Sequence, residues 1–189
     1  MCNNSMTITY DDVKKAQETQ SKIIRKTSLE FSETFSKICG AKVFLKNEYE
    51  QKTGSFKIRG AYYKIKSLTD EQKSKGVVAA SAGNHSQGVA FASNIENIPC
   101  TIVMPRTASP AKVAATKGYG AKVVLEGSTY DESWDHAQKI STDTNATVIH
   151  AFDDSNVIAG QGVIGLEIME ELPDVDEIYV PIGGGGLVA

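Results

Sequence analysis

Lys57 is the residue of this sequence whose position most favours nucleophilic chemistry. It follows Gly54-Ser55-Phe56, where an extended run ends and a helix begins almost at once. An ammonium is unfavourable there, because the dipole and the free N–H groups of a helix start favour negative charge. That position, partial burial and the nearby Arg59 would all favour the neutral amine, the form that makes a Schiff base with a carbonyl compound. The competing interpretation is an ordinary exposed lysine.

A second candidate site is the turn SAGNHSQG at residues 81–88, between a predicted strand and a predicted helix. The first backbone N–H groups of a helix have no partner inside it, and they can bind a carboxylate or phosphate. Gly83 allows close approach, and Ser81 and Asn84 add side-chain donors. The alternative is a plain turn between a strand and a helix.

A third candidate is the run of four glycines at residues 183–186, followed by Leu187. We expect these glycines to contribute nothing to packing, and they cost conformational entropy on folding. Such a run is typical of bare N–H groups that converge on an anion. It is neither a dinucleotide-binding fingerprint nor a P-loop. A flexible tail is the alternative, and the apolar run just before it argues against that.

Two anion sites and one activatable lysine imply a cofactor with a phosphate and an aldehyde, and a substrate with a carboxylate. Pyridoxal phosphate acting on an amino acid meets these requirements. The motifs SFKIRGA, SAGNHSQG and GGGGL also closely resemble those of the fold-type II pyridoxal-phosphate enzymes. Within that group the chain is most similar to the catabolic threonine dehydratases, and the similarity extends from about Thr9 to residue 189.

The resemblance implies a role for each motif residue. Lys57 would carry the cofactor and act as the base that takes the substrate's Cα proton. Phe56 would stack on the cofactor ring, and Asn84 would hydrogen-bond its phenolic oxygen. The phosphate would be held by Gly183, Gly184, Gly185, Gly186 and Leu187. The substrate carboxylate would be held by Ser81, Gly83, Asn84 and His85.

The implied reaction is β-elimination of water from L-threonine or L-serine, giving 2-oxobutyrate or pyruvate and ammonia. Racemisation is less favoured, because Ala82 stands where related serine racemases carry a proton-transferring serine. His85 fits the dehydratases better than the cysteine synthases, whose turn carries threonine or serine at that position. The competing interpretation is that the chain is not an enzyme but a non-catalytic remnant or a partner-binding fragment.

Regulation and assembly are implied by resemblance alone. Three positions match an AMP-binding set of the catabolic dehydratases: Lys52, Thr53 and Gln87. Gly118 departs from that set.

His136 and His150 have no metal-like spacing, so we expect structural roles for both and no metal. A full-length protein of this family is expected to form homo-oligomers.

The elements that must position these motifs alternate regularly from Gly76 onward. Strands and helices in alternation predict an α/β fold with a parallel sheet and right-handed crossovers. Capping patterns predict helices after Thr9, Thr69 and Ser109. Residues 177–182 are predicted to form a strand, and three glycines early in the preceding helix predict close packing there.

The family likeness gives this pattern a domain plan. Residues 1–75 would begin the large domain and carry the Lys57 helix, residues 76–150 would form a small inserted parallel-sheet domain, and residues 151–189 would return to the large domain. Proteins of this fold, which is that of the tryptophan synthase β subunit, continue well past the glycine run. The expectation is therefore a chain truncated at its C-terminus, with an incomplete larger parallel sheet.

Composition excludes several classes of protein. A net charge of −3 and a pI near 5.7 give no basic field for nucleic acid or an anionic membrane. Cys2, Cys39 and Cys100 have no pairing or metal spacing, which favours a reducing compartment. With no apolar signal core and no run of about 18 apolar residues, the expected location is the cytoplasm.

Overall fold

The N-terminal part of the chain combines helices with one antiparallel strand pair. The computed structural model describes residues 7–189, so Cys2 lies outside the described residues. β1 and β2 pair antiparallel, with Glu30 opposite Leu45. The elements here are α1 (Tyr10–Gln20), β1 (Leu29–Phe31), α2 (Glu33–Cys39), β2 (Phe44–Lys46), a 3₁₀ turn (Glu48–Glu50), α3 (Lys57–Lys66) and α4 (Asp70–Lys75).

From residue 76 onward, strands and helices alternate as predicted. The four strands form one sheet in the order β5-β4-β3-β6, and every neighbouring pair is parallel. This confirms the predicted α/β fold with a parallel sheet. The elements are β3 (Val77–Ala80), α5 (Asn84–Ile95), β4 (Cys100–Met104), α6 (Pro110–Gly118), β5 (Lys122–Leu125), α7 (Tyr130–Thr144), β6 (Thr147–Val148) and α8 (Ser155–Glu171).

The predicted helix starts are confirmed by their caps. Thr9 Oγ1 accepts from Asp12 N at 3.3 Å, and the Asp12 carboxylate accepts from Thr9 N at 3.0 Å. Thr69 and Gln72 form the same reciprocal pair ahead of α4. Pro110 occupies the first turn of α6, where its missing N–H costs nothing.

One face of α3 enters the main core. Ile58, Ala61, Tyr62 and Ile65 are all buried, as their helical spacing predicts. They join a single apolar cluster with residues of β3, β4 and α5. The proposed boundary near residue 75 therefore crosses a shared core, and the three-part domain plan stays a prediction.

Small residues let α3 lie very close to both α5 and α8. A Cβ on Gly160 of α8 would come within 2.8 Å of the Arg59 carbonyl oxygen and of Gly60 Cα. A Cβ on Gly88 of α5 would come within 3.1 Å of the Lys57 carbonyl carbon. Close packing early in α8 is thus confirmed at Gly160, and also at Gly162, whose Cβ would come within 3.0 Å of Val13. The prediction is wrong at Gly165, where nothing lies within 4 Å. The two crossings fix the first turn of α3, which carries Lys57.

The predicted strand at residues 177–182 is wrong. This segment forms no strand, and no strand within residues 7–189 pairs with it. Tyr179 and Ile182 are 88% and 72% exposed, so the apolar pattern there lacks a surface to cover. β1 was missed by the sequence analysis. Outside the four-stranded sheet, the described residues form only the antiparallel β1–β2 pair, where the family likeness implied a larger parallel sheet.

The described part of the chain, residues 7–189, contains no helix with the length and apolarity needed to cross a membrane. Those same residues bring together no group of three or more side chains that could hold a metal ion.

Candidate active site

The Lys57 side chain begins α3 and reaches across to the loop that precedes α8. Its Nζ donates to the carbonyl oxygen of Ala151 at 2.7 Å. The side chain is half-buried, and burial lowers the pKa of Lys57 below its usual 10.5. Phe56, just before the helix, offers no side-chain cap, and its ring centroid lies 5.1 Å from Nζ. The predicted shift toward the neutral amine is therefore present in direction, and desolvation is its cause.

The sequence analysis expected Arg59 to help lower the pKa of Lys57, but burial is the cause of that lowering. The Arg59 guanidinium is fully buried and is occupied by two carboxylates. Glu167 accepts from it at 2.7 and 2.9 Å, and Glu48 accepts at 2.8 Å. Arg59 instead ties α3 to α8 and to the 3₁₀ turn. Its role in the site is to hold the helix that carries Lys57.

The turn between β3 and α5 leaves the start of α5 open. Gly83 is the N-cap of α5 and supplies no side-chain acceptor. A Cβ built on Gly83 would meet nothing within 4 Å, so there is free space beside it. Ser81 Oγ accepts from Gly83 N at 3.1 Å, which shapes the turn. Uncapped N–H groups next to open space suit an anionic ligand.

His85 is buried at the start of α5 with its two ring nitrogens in different states. Nε2 lies 2.9 Å from the Ile149 carbonyl oxygen and therefore carries the ring proton. Nδ1 is buried without a partner. Burial lowers the pKa of His85 to about 4, which keeps the ring neutral. The ring therefore has no N–H free for a carboxylate, and any contribution of His85 to carboxylate binding comes from its backbone N–H.

Asn84 is exposed at the first position of α5. Its Oδ1 accepts from Lys112 Nζ of α6 at 3.2 Å. The sequence analysis did not single out Lys112, because no motif links it to the turn. Lys112 adds a positive charge at the N-terminal end of α5, where free N–H groups already favour an anion.

The glycine run contacts the protein more than expected. A Cβ on Gly184 would overlap the Phe152 ring, and a Cβ on Gly186 would overlap the Phe152 backbone. These two glycines therefore have a packing role, contrary to the sequence analysis. Gly183 and Gly185 face open space, and Gly185 has a positive φ of 86°. Leu187 lies in the turn that follows, where Gly185 O accepts from Ala189 N at 3.1 Å.

Residues 150–153 connect the lysine to the glycine run. Ala151 accepts from Lys57, and Phe152 packs on Gly184 and Gly186. The sequence analysis missed both residues. A signal was available, because β6 lies beside β3, and the carboxyl ends of neighbouring parallel strands are where ligands bind. Residues 150–153 come one residue after β6, much as the 81–88 turn comes after β3.

Two of the three positions matched to an AMP site lie on or beside α5. Lys52 Nζ is 5.9 Å from the ring centroid of Phe91, one turn after Gln87 on α5. Thr53 and Gln87 are buried, and Thr53 Oγ1 has no hydrogen-bond partner. Nucleotide binding at these residues stays a prediction.

Comparison with known proteins identifies the family. Residues 20–189 match the family described as pyridoxal-phosphate dependent enzyme. The chain belongs to this family. The match confirms pyridoxal phosphate as the family's cofactor and agrees with the predicted fold-type II resemblance.

Two individual members of the pyridoxal-phosphate enzyme family are similar to nearly the whole chain. The chain is 53% identical over 182 residues to an L-threonine ammonia-lyase of Thermotoga maritima, covering 96% of this chain and 45% of that protein. It is 49% identical to a catabolic L-threonine dehydratase of Staphylococcus aureus, covering 96% and 53%. It therefore spans about half the length of these curated relatives.

A solved structure of a maize serine racemase superposes with a TM-score of 0.91 at 39% identity. That comparison covers 94% of this chain and 54% of the racemase chain. The agreement in fold confirms the predicted architecture as that of a fold-type II pyridoxal-phosphate enzyme.

The residues present fit the family's cofactor. Lys57 offers a half-buried amine with a lowered pKa for an aldehyde. The uncapped start of α5 and the open faces of Gly183 and Gly185 offer N–H groups to anions. The individual roles assigned to Phe56, Asn84 and the glycines stay predictions.

Proposed function

We propose that the protein catalyses the pyridoxal-phosphate-dependent β-elimination of water from L-threonine and L-serine. The products are 2-oxobutyrate or pyruvate, with ammonia. The observation that carries the proposal is the Lys57 amine, held 2.7 Å from the Ala151 carbonyl next to the loop that packs on the glycine run. Relatives named for threonine ammonia-lyase and dehydratase activity, at 53% and 49% identity, support the choice of reaction.

The cofactor, when bound, supplies an electron sink for a negative charge at the substrate's Cα. The chain's own residues bind and orient the substrate. The uncapped start of α5 and the Ser81 turn bind the substrate carboxylate through backbone N–H groups. Lys112 adds positive charge at the same place.

Lys57 is the residue that moves protons in this proposal. Its Nζ would hold the cofactor, and the free amine would take the proton from the substrate's Cα. Burial keeps the amine closer to neutral than a free lysine, and a neutral amine is the form that can accept a proton. The Ala151 carbonyl orients Nζ by accepting one of its hydrogens.

Serine racemisation is the second candidate, supported by the likeness to a serine racemase structure. Ala82 argues against it, because its methyl group cannot transfer a proton at the second face of the substrate. Ala82, two residues after β3, packs against the main core. Incubation with L-serine separates the two reactions: dehydration gives pyruvate, and racemisation gives D-serine.

The proposal is tested on the purified chain with added pyridoxal phosphate and L-threonine. We expect 2-oxobutyrate, and borohydride reduction should attach the cofactor to Lys57, as located by mass spectrometry. Lys57→Ala should abolish both signals. Lys66→Ala is the matched control, because Lys66 lies on the same helix and pairs with Glu96 at 2.9 Å. Labelling of Lys57 without any 2-oxo acid would instead support a non-catalytic remnant.

Effector, assembly and location belong to the same proposal. We infer AMP binding near Lys52, Thr53 and Gln87, self-association of the protein, and a cytoplasmic setting. Phe35 and Ile38 lie three residues apart on α2 and are 48% and 73% exposed, and adjoining exposed apolar side chains favour association. Cys39 and Cys100 are free thiols in the described residues, in keeping with a reducing compartment. Sedimentation with and without AMP tests the first two inferences.

A further inference from the structure

We propose that His150 is a positioning residue for the active site. Its Nδ1 closes the turn of residues 150–153, and that turn holds the Ala151 carbonyl on Lys57 and the Phe152 ring on the glycine run. The sequence analysis expected only a structural histidine here. The inference rests on the proposed function, in which Lys57 is the reactive amine. It adds His150 as a residue that acts on that amine through the Ala151 carbonyl.

The first support is the pair of hydrogen bonds to one ring nitrogen. His150 Nδ1 accepts from Asp153 N at 2.8 Å and from Phe152 N at 3.3 Å. A ring nitrogen that accepts carries no proton, so the ring proton lies on Nε2. Both bonds are local and hold the bend of the chain shortly after β6. Without an acceptor at Nδ1, two backbone N–H groups at this turn lose their partner.

The second support is what the closed turn presents. Ala151, inside the turn, is the acceptor for Lys57 Nζ at 2.7 Å. Phe152, the next residue, lies against Gly184 and Gly186 so closely that neither position can carry a Cβ without displacing it. One nitrogen thereby sets the position of two groups that belong to different parts of the site.

The third support is that the imidazole itself is held in place. The Trp134 ring meets it edge-on with centroids 5.1 Å apart, and the Phe152 ring meets it edge-on at 4.7 Å. Edge-to-face packing of this kind is favourable for aromatic pairs. Trp134 comes from α7, so the ring is fixed from outside the turn as well as from within it.

The charges around His150 are compatible with a neutral ring. Asp153 and Asp154 favour its protonated form, while Lys57 opposes it, and burial is the largest effect. Burial outweighs the two carboxylates and, with Lys57, holds the pKa of His150 below 6.5. Nδ1 therefore stays available as an acceptor at neutral pH. The other titratable neighbour is His85, itself neutral with a pKa of about 4.

Two variants separate the acceptor from the ring. His150→Asn keeps an oxygen that can accept from the two N–H groups and loses the ring. His150→Phe keeps an aromatic ring and loses the acceptor. The measurements are amide hydrogen exchange at Phe152 and Asp153 by NMR, and the pKa of the Lys57 amine by competitive labelling with acetic anhydride. Both are made on the chain without added cofactor, so they do not depend on turnover.

We expect wild type and His150→Asn to protect both amides. In His150→Phe their exchange should be at least about tenfold faster, since a net hydrogen bond of about 1.4 kcal/mol corresponds to a factor of ten. The Lys57 pKa should change in the Phe variant and stay at the wild-type value in the Asn variant. Unchanged exchange of the β4 amides confirms that the fold is intact. Should the Phe variant unfold, His150→Ala takes its place.

The proposal is overturned if the Phe variant retains slow exchange and an unchanged Lys57 pKa. It is also overturned if the Asn variant loses protection as the Phe variant does, because an acceptor at position 150 would then not be enough to hold the turn. Neither result bears on the reaction itself. The production of 2-oxobutyrate by the wild-type chain tests the proposed function separately.

Discussion

Lys57 Nζ and the Ala151 carbonyl oxygen are 2.7 Å apart, although the two residues are separated by 94 positions in the sequence. This bond joins the first turn of α3 to the loop that follows the parallel sheet. The close crossings at Gly88 and Gly160 fix the helix, and the turn after β6 fixes the carbonyl. The amine of Lys57 is therefore positioned by elements from both halves of the chain.

The titration of Lys57 is the first prediction. Burial should leave its amine with a pKa below 10.5 in the folded chain. Competitive labelling across pH, read by mass spectrometry on the Lys57 peptide, measures this directly. The same peptide labelled in 8 M urea is the control, and its pKa should return to about 10.4. Equal values in the two conditions would contradict the burial argument.

A second prediction concerns stability below neutral pH. His85 is neutral in the fold with a pKa of about 4, against 6.5 for a free histidine. Above pH 6.5 His85 is neutral in both the folded and the unfolded chain, so its lowered pKa has no effect on stability there. As the pH falls from 6.5 to 4 the unfolded chain binds a proton that the folded chain does not, so the free energy of unfolding falls by up to about 3 kcal/mol.

His85→Gln is the matched variant for that measurement. A glutamine amide can still donate to the Ile149 carbonyl, which now accepts from His85 Nε2, but it does not titrate. Urea unfolding at pH 7 and pH 4.5 should show a smaller loss of stability in the variant than in wild type. Parallel pH profiles for the two chains would mean that His85 is not buried in its neutral form.

The elements predicted well from sequence are those whose signals are local. The Thr9 and Thr69 caps involve residues three positions apart, so the residue types alone are enough to predict their hydrogen bonds. The buried stripe of α3 likewise follows from the helical period alone. The parallel sheet follows from regular alternation of strands and helices.

The failures all involve contacts that the sequence order does not encode. A strand at residues 177–182 needs a neighbouring strand, and residues 7–189 supply none. Arg59 was expected to influence Lys57 two positions away, but its guanidinium binds Glu167, 108 positions away. Phe152 and the glycine run meet only because residues 150–153 and 183–187 are brought together in the fold.

The buried charge network around Arg59 supports a third prediction. Glu167 binds Arg59 and also Lys46, whose Nζ lies 2.7 Å away, and all three side chains are at least 92% buried. Glu167→Gln leaves the two cations without their shared carboxylate, and we expect a loss of about 3–5 kcal/mol in the free energy of unfolding. Urea denaturation measures it.

A surface pair provides the control for Glu167→Gln. Lys139 and Asp143 are 2.8 Å apart on α7, with side chains 69% and 56% exposed. Asp143→Asn should change stability by no more than about 0.5 kcal/mol. Similar effects for the two substitutions would show that the network around Arg59 is not buried as described.

The crossing of α3 and α8 gives a fourth prediction with a control on the same helix. Gly160→Ala should destabilise the chain by about 1–3 kcal/mol, because the added methyl group comes within 2.8 Å of α3 backbone atoms. Gly165→Ala adds a methyl group where nothing lies within 4 Å. It should stabilise α8 by up to about 1 kcal/mol, because alanine is the better helix former. Opposite signs in urea denaturation are the expected result.

The packing of Phe152 on the glycine run is the subject of the last prediction. A methyl group at Gly184 would overlap the Phe152 ring, whereas one at Gly183 would meet nothing within 4 Å. The displaced ring should disturb the edge-to-face contacts that join Phe152, His150 and Trp134. Trp134 is the single tryptophan of the chain, so its emission reports on these contacts directly.

Gly184→Ala should therefore shift the Trp134 emission and lower stability, and Gly183→Ala should leave both near wild type. Phe152→Ala removes the ring that the new methyl group would meet. In that background Gly184→Ala should have no further effect, which gives a coupling energy of about 0.5–3 kcal/mol between the two positions. Additive effects would mean that Gly184 is needed for its own backbone conformation and not for the approach of Phe152.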